Sequence, residues 1–263
     1  MQFKQKHKFD GILICSDFDG TLAHHQTITR TNIDAIRYFQ SEGGLFTVAS
    51  GRHPAFIHEY SQMVLPNTFI CGFNGTLIQD HITHARIHST PMSEDIYSFA
   101  ADLVSQITEI DYVDFQFDGS EITLERKDIK PGYQVEFQRL PLFKVLFIVD
   151  ELHSDIAFNK VSKVVRNRYS ISRSWINGIE IQNPGEDKGN ALRILRKRLA
   201  GQVHTMIGVG DYENDIPMLI EADISFAVEN AIPAVKAAAD HITAGSETNS
   251  IASIIDRLER ELF

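Results

Sequence analysis

The 263-residue sequence has little of several features, and each shortage narrows what the protein can be. It contains only two cysteines, Cys15 and Cys71. Both lie in apolar runs, which favours buried thiols over a disulfide. No stretch approaches the roughly 20 apolar residues of a membrane span, and the apolar run after the polar N-terminus is too short for a signal peptide. We therefore expect a cytoplasmic protein with no membrane partner.

Positive charge is also scarce. The sequence has 25 Lys and Arg against 35 Asp and Glu, a formal net charge of −10. Because nucleic-acid binding relies on clustered Lys and Arg, we expect no nucleic-acid partner, and any phosphate site must be locally basic. The apolar fraction of 43% is ordinary for a globular protein. A chain of this length can form one large α/β domain or a core with a smaller insert.

A pair of aspartates directly follows a short apolar run near the N-terminus. The run, at residues 12–16, predicts a buried central strand, because strands covered on both faces lose the alternation of polar and apolar residues. Asp17 and Asp19 are two apart on an extended chain, so they project to the same side. Two adjacent carboxylates are costly without a cation between them. Gly20 lets the backbone turn away, and Thr21 adds a hydroxyl just beyond the acids.

Strand and helix patterns alternate at both ends of the chain, with a different pattern between them. Apolar runs at 45–49, 68–71, 204–209 and 224–228 predict further strands, and helices are expected at about 54–63, 188–199 and 251–262. This rhythm predicts a Rossmann-like, doubly wound parallel sheet with right-handed crossovers, an α/β fold. The middle contains aromatic-rich alternating segments joined by Asp118-Gly119, which predict an antiparallel α+β insert. We expect a core of residues 1–82 and 183–263 and an inserted domain of residues 83–182.

Polar residues suited to phosphate chemistry follow several of the predicted core strands or begin a core helix. Ligand sites of open α/β sheets form at the carboxyl ends of strands, so we expect these residues to meet at one edge. Converging carboxylates favour Mg²⁺, a hard cation that prefers oxygen ligands. We assign Asp17 and Asp211 as direct ligands, Asp19 as a ligand through its backbone carbonyl, and Asp215 as orienting ligand waters. The residues at these positions are Asp17, Asp19, Ser50, Lys188, Asp211, Asn214 and Asp215.

The motifs Asp-Phe-Asp-Gly-Thr at 17–21 and Gly-Asp-x-x-Asn-Asp at 210–215 resemble those of the haloacid dehalogenase superfamily. The layout is most similar to its Cof-type phosphatases, which carry a large α+β cap between the Ser and Lys motifs. The resemblance implies that Asp17 is the nucleophile and Asp19 the general acid/base. One departure is that the family more often has an apolar residue where Ser16 stands and Leu or Ile in place of Phe18. The residues implied to bind phosphate or substrate, or to shape that site, are Thr21, Ser50, Gly51, Arg52, Asn74, Lys188 and Asn214.

The expected activity is Mg²⁺-dependent hydrolysis of a small phosphorylated metabolite, such as a sugar phosphate, a nucleotide or a phosphorylated cofactor. Asp17 would form an aspartyl phosphate, and Asp19, protonated because of neighbouring negative charge, would protonate the leaving alkoxide. We expect a monomer or a weak homodimer. Two alternatives stay open: a phosphomutase using the same aspartyl phosphate, and a non-catalytic regulatory or binding protein on the same fold.

Several weaker signals admit ordinary structural interpretations. Asn74-Gly75 is a strong turn dipeptide, so it predicts a hairpin connection as readily as an active-site segment. The acidic residues at 211–215 could serve only as a helix cap. His81, His84 and His88 have spacings that suggest a metal site, but a surface hairpin is the interpretation we favour. For His24-His25 we favour a polar loop over a substrate contact.

Overall fold

The structure is a computed structural model, and it describes residues 7–60, 66–130 and 140–262. The chain divides into two compact units. The first unit consists of residues 1–87 and 187–263, and the second of residues 88–186. The far end of the helix predicted at 54–63 lies outside the described residues. Among the helices of the described part, none combines the length and hydrophobicity of a membrane span.

A five-stranded parallel sheet forms the centre of the first unit. The sheet order is β13-β12-β11-β1-β2, and every neighbouring pair is parallel. All five residues of β1 are buried, as its continuous apolar run predicts. This confirms the predicted α/β class. The strands are β1 (Ile12–Ser16), β2 (Leu45–Val48), β11 (Thr205–Gly210), β12 (Ile224–Val228) and β13 (His241–Thr243).

Helices flank this sheet. The helices α1 and α8 pack against each other, and α5 packs against α6. The side chain of Thr29 accepts the N–H of Asn32 and so caps α1, as Thr at this position predicts. The sequence analysis missed α7 and β13, which are short. The helices are α1 (Arg30–Ser41), α2 (Pro54–Glu59), α5 (Lys188–Arg198), α6 (Ile216–Glu221), α7 (Pro233–Ala238) and α8 (Ser250–Leu262).

The strand predicted at 68–71 does not continue the parallel sheet. It forms β3 (Phe69–Gly72), which pairs antiparallel with β4 (Leu77–Asp80), and β5 (Arg86–Ser89) completes a three-stranded sheet. A single parallel bridge between Ala49 and Cys71 links β3 to the segment after β2. The chain reverses after β3 through Asn74 and Gly75, which have φ of 55° and 104°. The chain therefore turns straight back after β3, as the hairpin interpretation of Asn74-Gly75 predicts. The strand predicted at 68–71 is present, but its parallel pairing among the described residues is limited to this one bridge.

The second unit contains an antiparallel sheet covered on one face by helices. The sheet order is β7-β6-β8-β10-β9. Its apolar face and the helices share one buried cluster, which includes Val113, Phe147 and Ile179. Asp118-Gly119 joins β6 to β7, as predicted. The elements are α3 (Asp95–Gln106), β6 (Ile110–Phe117), β7 (Ser120–Glu125), β8 (Leu142–Val149), α4 (Ser154–Val165), β9 (Ser170–Trp175) and β10 (Gly178–Gln182).

Candidate active site

Three carboxylates converge at the carboxyl ends of β1 and β11. The backbone N–H of Asp17 donates to the carbonyl of Val209 at 2.9 Å, which extends the pairing of β1 with β11 by one residue. The following loop supplies Asp211 and Asp215. One oxygen of each of Asp17, Asp211 and Asp215 lies within 4.8 Å of the other two. The parallel sheet thus brings together acids that are almost 200 positions apart in the sequence.

Lys188 neutralises part of this charge from the first turn of α5. Its side chain is completely buried. Its ammonium donates to Asp17 Oδ1 at 2.5 Å and to Asp215 Oδ1 at 2.6 Å. Burial alone would lower the pKa of Lys188, but the two carboxylates overcome it and raise that pKa above its ordinary value. The Asp187 side chain caps α5 by accepting the N–H of Asn190 at 2.7 Å, which fixes the point where the lysine emerges.

The acids keep an excess of negative charge despite Lys188. Burial raises the pKa of Asp17 well above its ordinary value; Lys188 opposes this shift, while Asp215 and Asp211 add to it. Burial and the repulsion of Asp215 raise the pKa of Asp211 from 3.8 to about 7. Three carboxylates stand against one ammonium, and all their donor atoms are oxygens. This donor set fits a hard divalent cation such as Mg²⁺.

Both carboxylate oxygens of Asp215 accept hydrogen bonds from the protein. Oδ1 accepts from Lys188, while Oδ2 accepts the backbone N–H groups of Asp211 at 2.8 Å and Tyr212 at 3.1 Å. Its carboxylate therefore fixes the loop that presents Asp211. Gly210 is required here, because a Cβ atom on it would lie 2.4 Å from the Cβ of Asp215.

Gly20 and Thr21 shape the same acidic cluster. Gly20 has φ of +81°, and a Cβ atom there would lie 2.4 Å from Asp211 Oδ2. The Thr21 hydroxyl donates to Asp211 Oδ1 at 2.7 Å. The absence of a side chain at Gly20 thus leaves space for the carboxylate of Asp211, and the hydroxyl of Thr21 orients that carboxylate. The expected contact of Thr21 with phosphate or substrate stays a prediction.

The side chain of Asp19 lies in different surroundings from those expected. Arg52 donates to it in a bidentate arrangement, with Nε 2.6 Å from Oδ2 and Nη2 3.0 Å from Oδ1. The guanidinium also stacks over the ring of Phe56, 4.1 Å from its centroid. The sequence analysis expected negative charge beside Asp19 and did not foresee this cation, which contacts the carboxylate directly. Sequence spacing could not show this, since Arg52 follows a different strand.

Backbone hydrogen bonds tie the remaining predicted residues to the same sheet edge. Ser50 is buried, its N–H donates to Cys71 O, and its carbonyl accepts the N–H of Asn74, both at 2.9 Å. Gly51 follows Ser50 directly. The Asn214 side chain donates to Asn74 Oδ1 at 3.1 Å. This contact links Asn214 to Asn74, whose backbone N–H in turn contacts Ser50.

The sequence analysis missed Asn230. Its amide donates to the carbonyl of Gly20 at 2.7 Å and accepts the N–H of Ser246 at 2.9 Å, so it holds the turn after the aspartate pair. The only available signal was a polar loop after β12. His24 lies in a polar loop and pairs with Glu247 at 3.3 Å. Both cysteines are buried and free, as expected.

Comparison with known proteins identifies the family. The family model described as haloacid dehalogenase-like hydrolase matches residues 14–255. The chain belongs to this family. Membership confirms the predicted resemblance, and with the named phosphatases among its relatives it supports an enzyme of the phosphoric monoester hydrolase class.

The relatives cover nearly the whole chain. A candidate phosphatase, YxeH of Bacillus subtilis (strain 168), is 26% identical over 94% of this chain and 97% of its own length. The 5-amino-6-(5-phospho-D-ribitylamino)uracil phosphatase YcsE of the same organism is 24% identical, covering 95% and 97%. The pyridoxal phosphate phosphatase YbhA of Escherichia coli (strain K12) is 24% identical, covering 92% and 97%.

Solved structures share the fold. A HAD/COF-like hydrolase from Plasmodium vivax superimposes with a TM-score of 0.79 and 19% identity, covering 98% of both chains. A sugar phosphatase of HAD subclass IIB superimposes with a TM-score of 0.75 and 18% identity, covering 95% of this chain and 99% of its own. These similarities confirm the α/β core with additional sheets.

Proposed function

We propose that this chain hydrolyses a small phosphorylated metabolite with Mg²⁺ and an aspartyl-phosphate intermediate on Asp17. The observation that carries the proposal is the buried contact of Lys188 with Asp17 inside a cluster of three carboxylates. A structural ion pair would not need three converging acids. Burial, with the repulsion between neighbouring carboxylates, raises the pKa values of Asp17 and Asp211. Such shifts are typical of groups that bind a cation or react.

Asp17 is placed to be the nucleophile. Its carboxylate attacks phosphorus, the bond from phosphorus to the leaving oxygen breaks, and the phosphoryl group is then carried by Asp17. Lys188 holds the attacking carboxylate in position through Oδ1 and stays charged, so it also offsets negative charge on the phosphoryl oxygens. The Ser50 hydroxyl and the Gly51 N–H are proposed donors to those oxygens.

Asp19 is proposed to move the proton in both steps. Its carboxyl group gives a proton to the leaving oxygen, then takes one from the water that attacks phosphorus, and this second displacement releases phosphate and restores Asp17. Because Arg52 holds Asp19 in the structure, this role requires the side chain to leave the guanidinium or to act within that contact. Arg52 is half-exposed and is proposed to contact the substrate as well.

Asp17, Asp211 and the backbone carbonyl of Asp19 are the proposed holders of Mg²⁺. The ion, when bound, supplies positive charge to the transferring phosphoryl group. Asp215 supports it indirectly by fixing the loop of Asp211.

A small phosphorylated metabolite is proposed as the substrate. The relatives named above are phosphatases of a ribitylaminouracil phosphate and of pyridoxal phosphate, both small molecules. The inserted domain, predicted at 83–182, is proposed to act as the cap that selects among such molecules. The cytoplasmic location, the monomer or weak homodimer and the lack of nucleic-acid partners stay predictions.

The test is phosphate release from a generic aryl phosphate and from the two metabolites named above, with Mg²⁺ and with a chelator. We expect Mg²⁺-dependent release by the wild type and none by Asp17→Asn. Asp34→Asn, at an exposed carboxylate of α1, is the matched control and should keep full activity. Turnover by Asp17→Asn, or release that persists in the chelator, would contradict the proposal.

A further inference from the structure

A second group of possible metal ligands lies on the first unit, apart from the carboxylates. His58, in the last turn of α2, lies against His84 of the turn between β4 and β5, with ring centroids 4.2 Å apart and planes inclined by 49°. His81 belongs to the same turn. The sequence suggested a different trio, but His88 pairs with Glu186 of the second unit at 3.0 Å. The turn itself is the surface hairpin that we favoured, and the histidine that joins it comes from α2.

Two ring nitrogens of this histidine cluster, formed by His58, His81 and His84, are buried without a partner. His58 Nε2 and His81 Nδ1 are shielded from water and have no hydrogen-bond partner among the residues that the structure describes. Leaving a buried polar atom unsatisfied costs about 1–3 kcal/mol, so such atoms call for an explanation. A bound metal ion would explain such an atom, because it accepts the lone pair of the ring nitrogen.

The surroundings of His58 favour its neutral form, which can bind a metal. Burial lowers the pKa of His58, and the neighbouring His84, His81 and His53 lower it further. A neutral imidazole is the form that coordinates Zn²⁺, Ni²⁺ or Cu²⁺. In the described part of the chain, no salt bridge to a carboxylate is recorded for the three rings, so nothing of that kind competes with a metal for them.

The spacing of His58 and His84 is close to that of two ligands of one ion. If two imidazoles bind one ion through metal–nitrogen bonds of about 2.1 Å, and these two bonds form a right angle, the ring centroids lie about 4.5 Å apart. Apart from the carboxylate cluster, no three His, Cys, Asp or Glu residues in the described part of the chain bring one donor atom each within 4.8 Å of one another. The arrangement therefore provides two protein ligands, with water completing the coordination.

The backbone holds His84 in place. Two backbone hydrogen bonds close the turn. The N–H of Asp80 donates to the carbonyl of Ala85 at 2.9 Å, and the N–H of His84 donates to the carbonyl of Asp80 at 3.0 Å. Asp80 Oδ1 accepts two further N–H groups within the turn, from Ile82 and Thr83. His84 itself has φ of 56°, the left-handed conformation. A ligand on such a fixed turn loses little entropy when it binds.

We propose that His58 and His84, beside His81, form a binding site for a divalent transition-metal ion of the Zn²⁺ or Ni²⁺ type, separate from the carboxylates. The site would join α2 to the β4–β5 turn. It does not depend on the proposed phosphatase reaction, because its ligands take no part in that reaction.

The experiment titrates the full chain with Ni²⁺ in excess Mg²⁺, which competes with Ni²⁺ for the carboxylates, and follows binding by calorimetry. The variants are His58→Gln and His84→Asn, since Asn tolerates the left-handed conformation. His153→Gln, at an exposed histidine of the second unit, is the control. We expect one site, at least tenfold weaker binding in each variant, and wild-type binding in the control.

A second measurement identifies the ligands. The electron paramagnetic resonance of bound Cu²⁺ counts nitrogen ligands, and we expect at least two in the wild type and fewer in His84→Asn. Unfolding temperatures without metal check that the variants are folded. Unchanged affinity in both folded variants, or binding lost only in Asp211→Asn, would overturn the proposal and assign the metal to the carboxylates.

Discussion

The raised pKa of Asp211 predicts that Mg²⁺ stabilises this protein more as the pH rises. A folded-state pKa of about 7 against an ordinary 3.8 means that the folded protein binds this proton more tightly than the unfolded chain does. The contribution of this carboxyl group to stability is therefore fully present below about pH 4 and is lost as the pH rises through about 7. The size of the shift corresponds to about 4 kcal/mol at neutral pH and above. Asp17, whose pKa is also raised, adds to the effect in the same direction.

The Mg²⁺ ion that we propose to bind here would remove this penalty, because a cation binds the ionised form of the carboxylates. Saturating Mg²⁺ should raise the free energy of unfolding by a few kcal/mol near pH 8 and by much less near pH 5. For a chain of this size, 4 kcal/mol corresponds to a rise of roughly 10 °C in melting temperature. The assay is thermal unfolding with Mg²⁺ or chelator across this pH range.

Two variants make this prediction specific. Asp211→Asn removes the titrating group, so it should be less sensitive to pH between 5 and 8 and should lose most of the Mg²⁺ stabilisation. Asp34→Asn should behave as the wild type. The reasoning is refuted if Mg²⁺ raises the melting temperature equally near pH 5 and near pH 8, or if Asp211→Asn keeps the full Mg²⁺ effect.

Two further substitutions test other contacts. Gly20→Ala adds a Cβ atom 2.4 Å from Asp211 Oδ2 at a φ of +81°, so we expect about 1–2 kcal/mol of destabilisation and weaker Mg²⁺ binding; unchanged Mg²⁺ affinity by calorimetry would contradict this. In the second unit, the carboxylate of Glu180 lies 2.6 Å from the buried ammonium of Lys144. Glu180→Gln removes the negative charge of this pair, and we expect the free energy of unfolding in urea to fall by about 3 kcal/mol. Its exposed counterpart, Glu125→Gln, should leave the urea midpoint unchanged, and equal midpoints for the two variants would show that burial is not the cause.

Local patterns determined most elements and much of the site. The bounds of β12 (Ile224–Val228) agree with the sequence analysis, because a buried strand is a continuous apolar run in the sequence. The aspartate pair could be placed at a strand end for the same reason. The carboxyl ends of parallel strands lie at one edge of the sheet. The sequence alone therefore predicts that Asp17, Lys188 and Asp211 meet there.

Pairings between distant segments needed the tertiary structure. β3 resembles any other apolar strand in sequence, and only the left-handed turn at Asn74 and Gly75 made it pair with β4. The contact of Arg52 with Asp19 also has no local signature.

The sequence by itself determined the family, the α/β class and the residue types of the site, because these are encoded in short motifs and in periodicity. The tertiary structure decided which side chain meets which. The ring next to His84 is that of His58 and not that of His88. The carboxylate of Asp19 contacts a cation, and the amide of Asn230 donates to the carbonyl of Gly20. The physical reason is that such contacts join residues far apart in the chain, and their geometry depends on how whole elements pack.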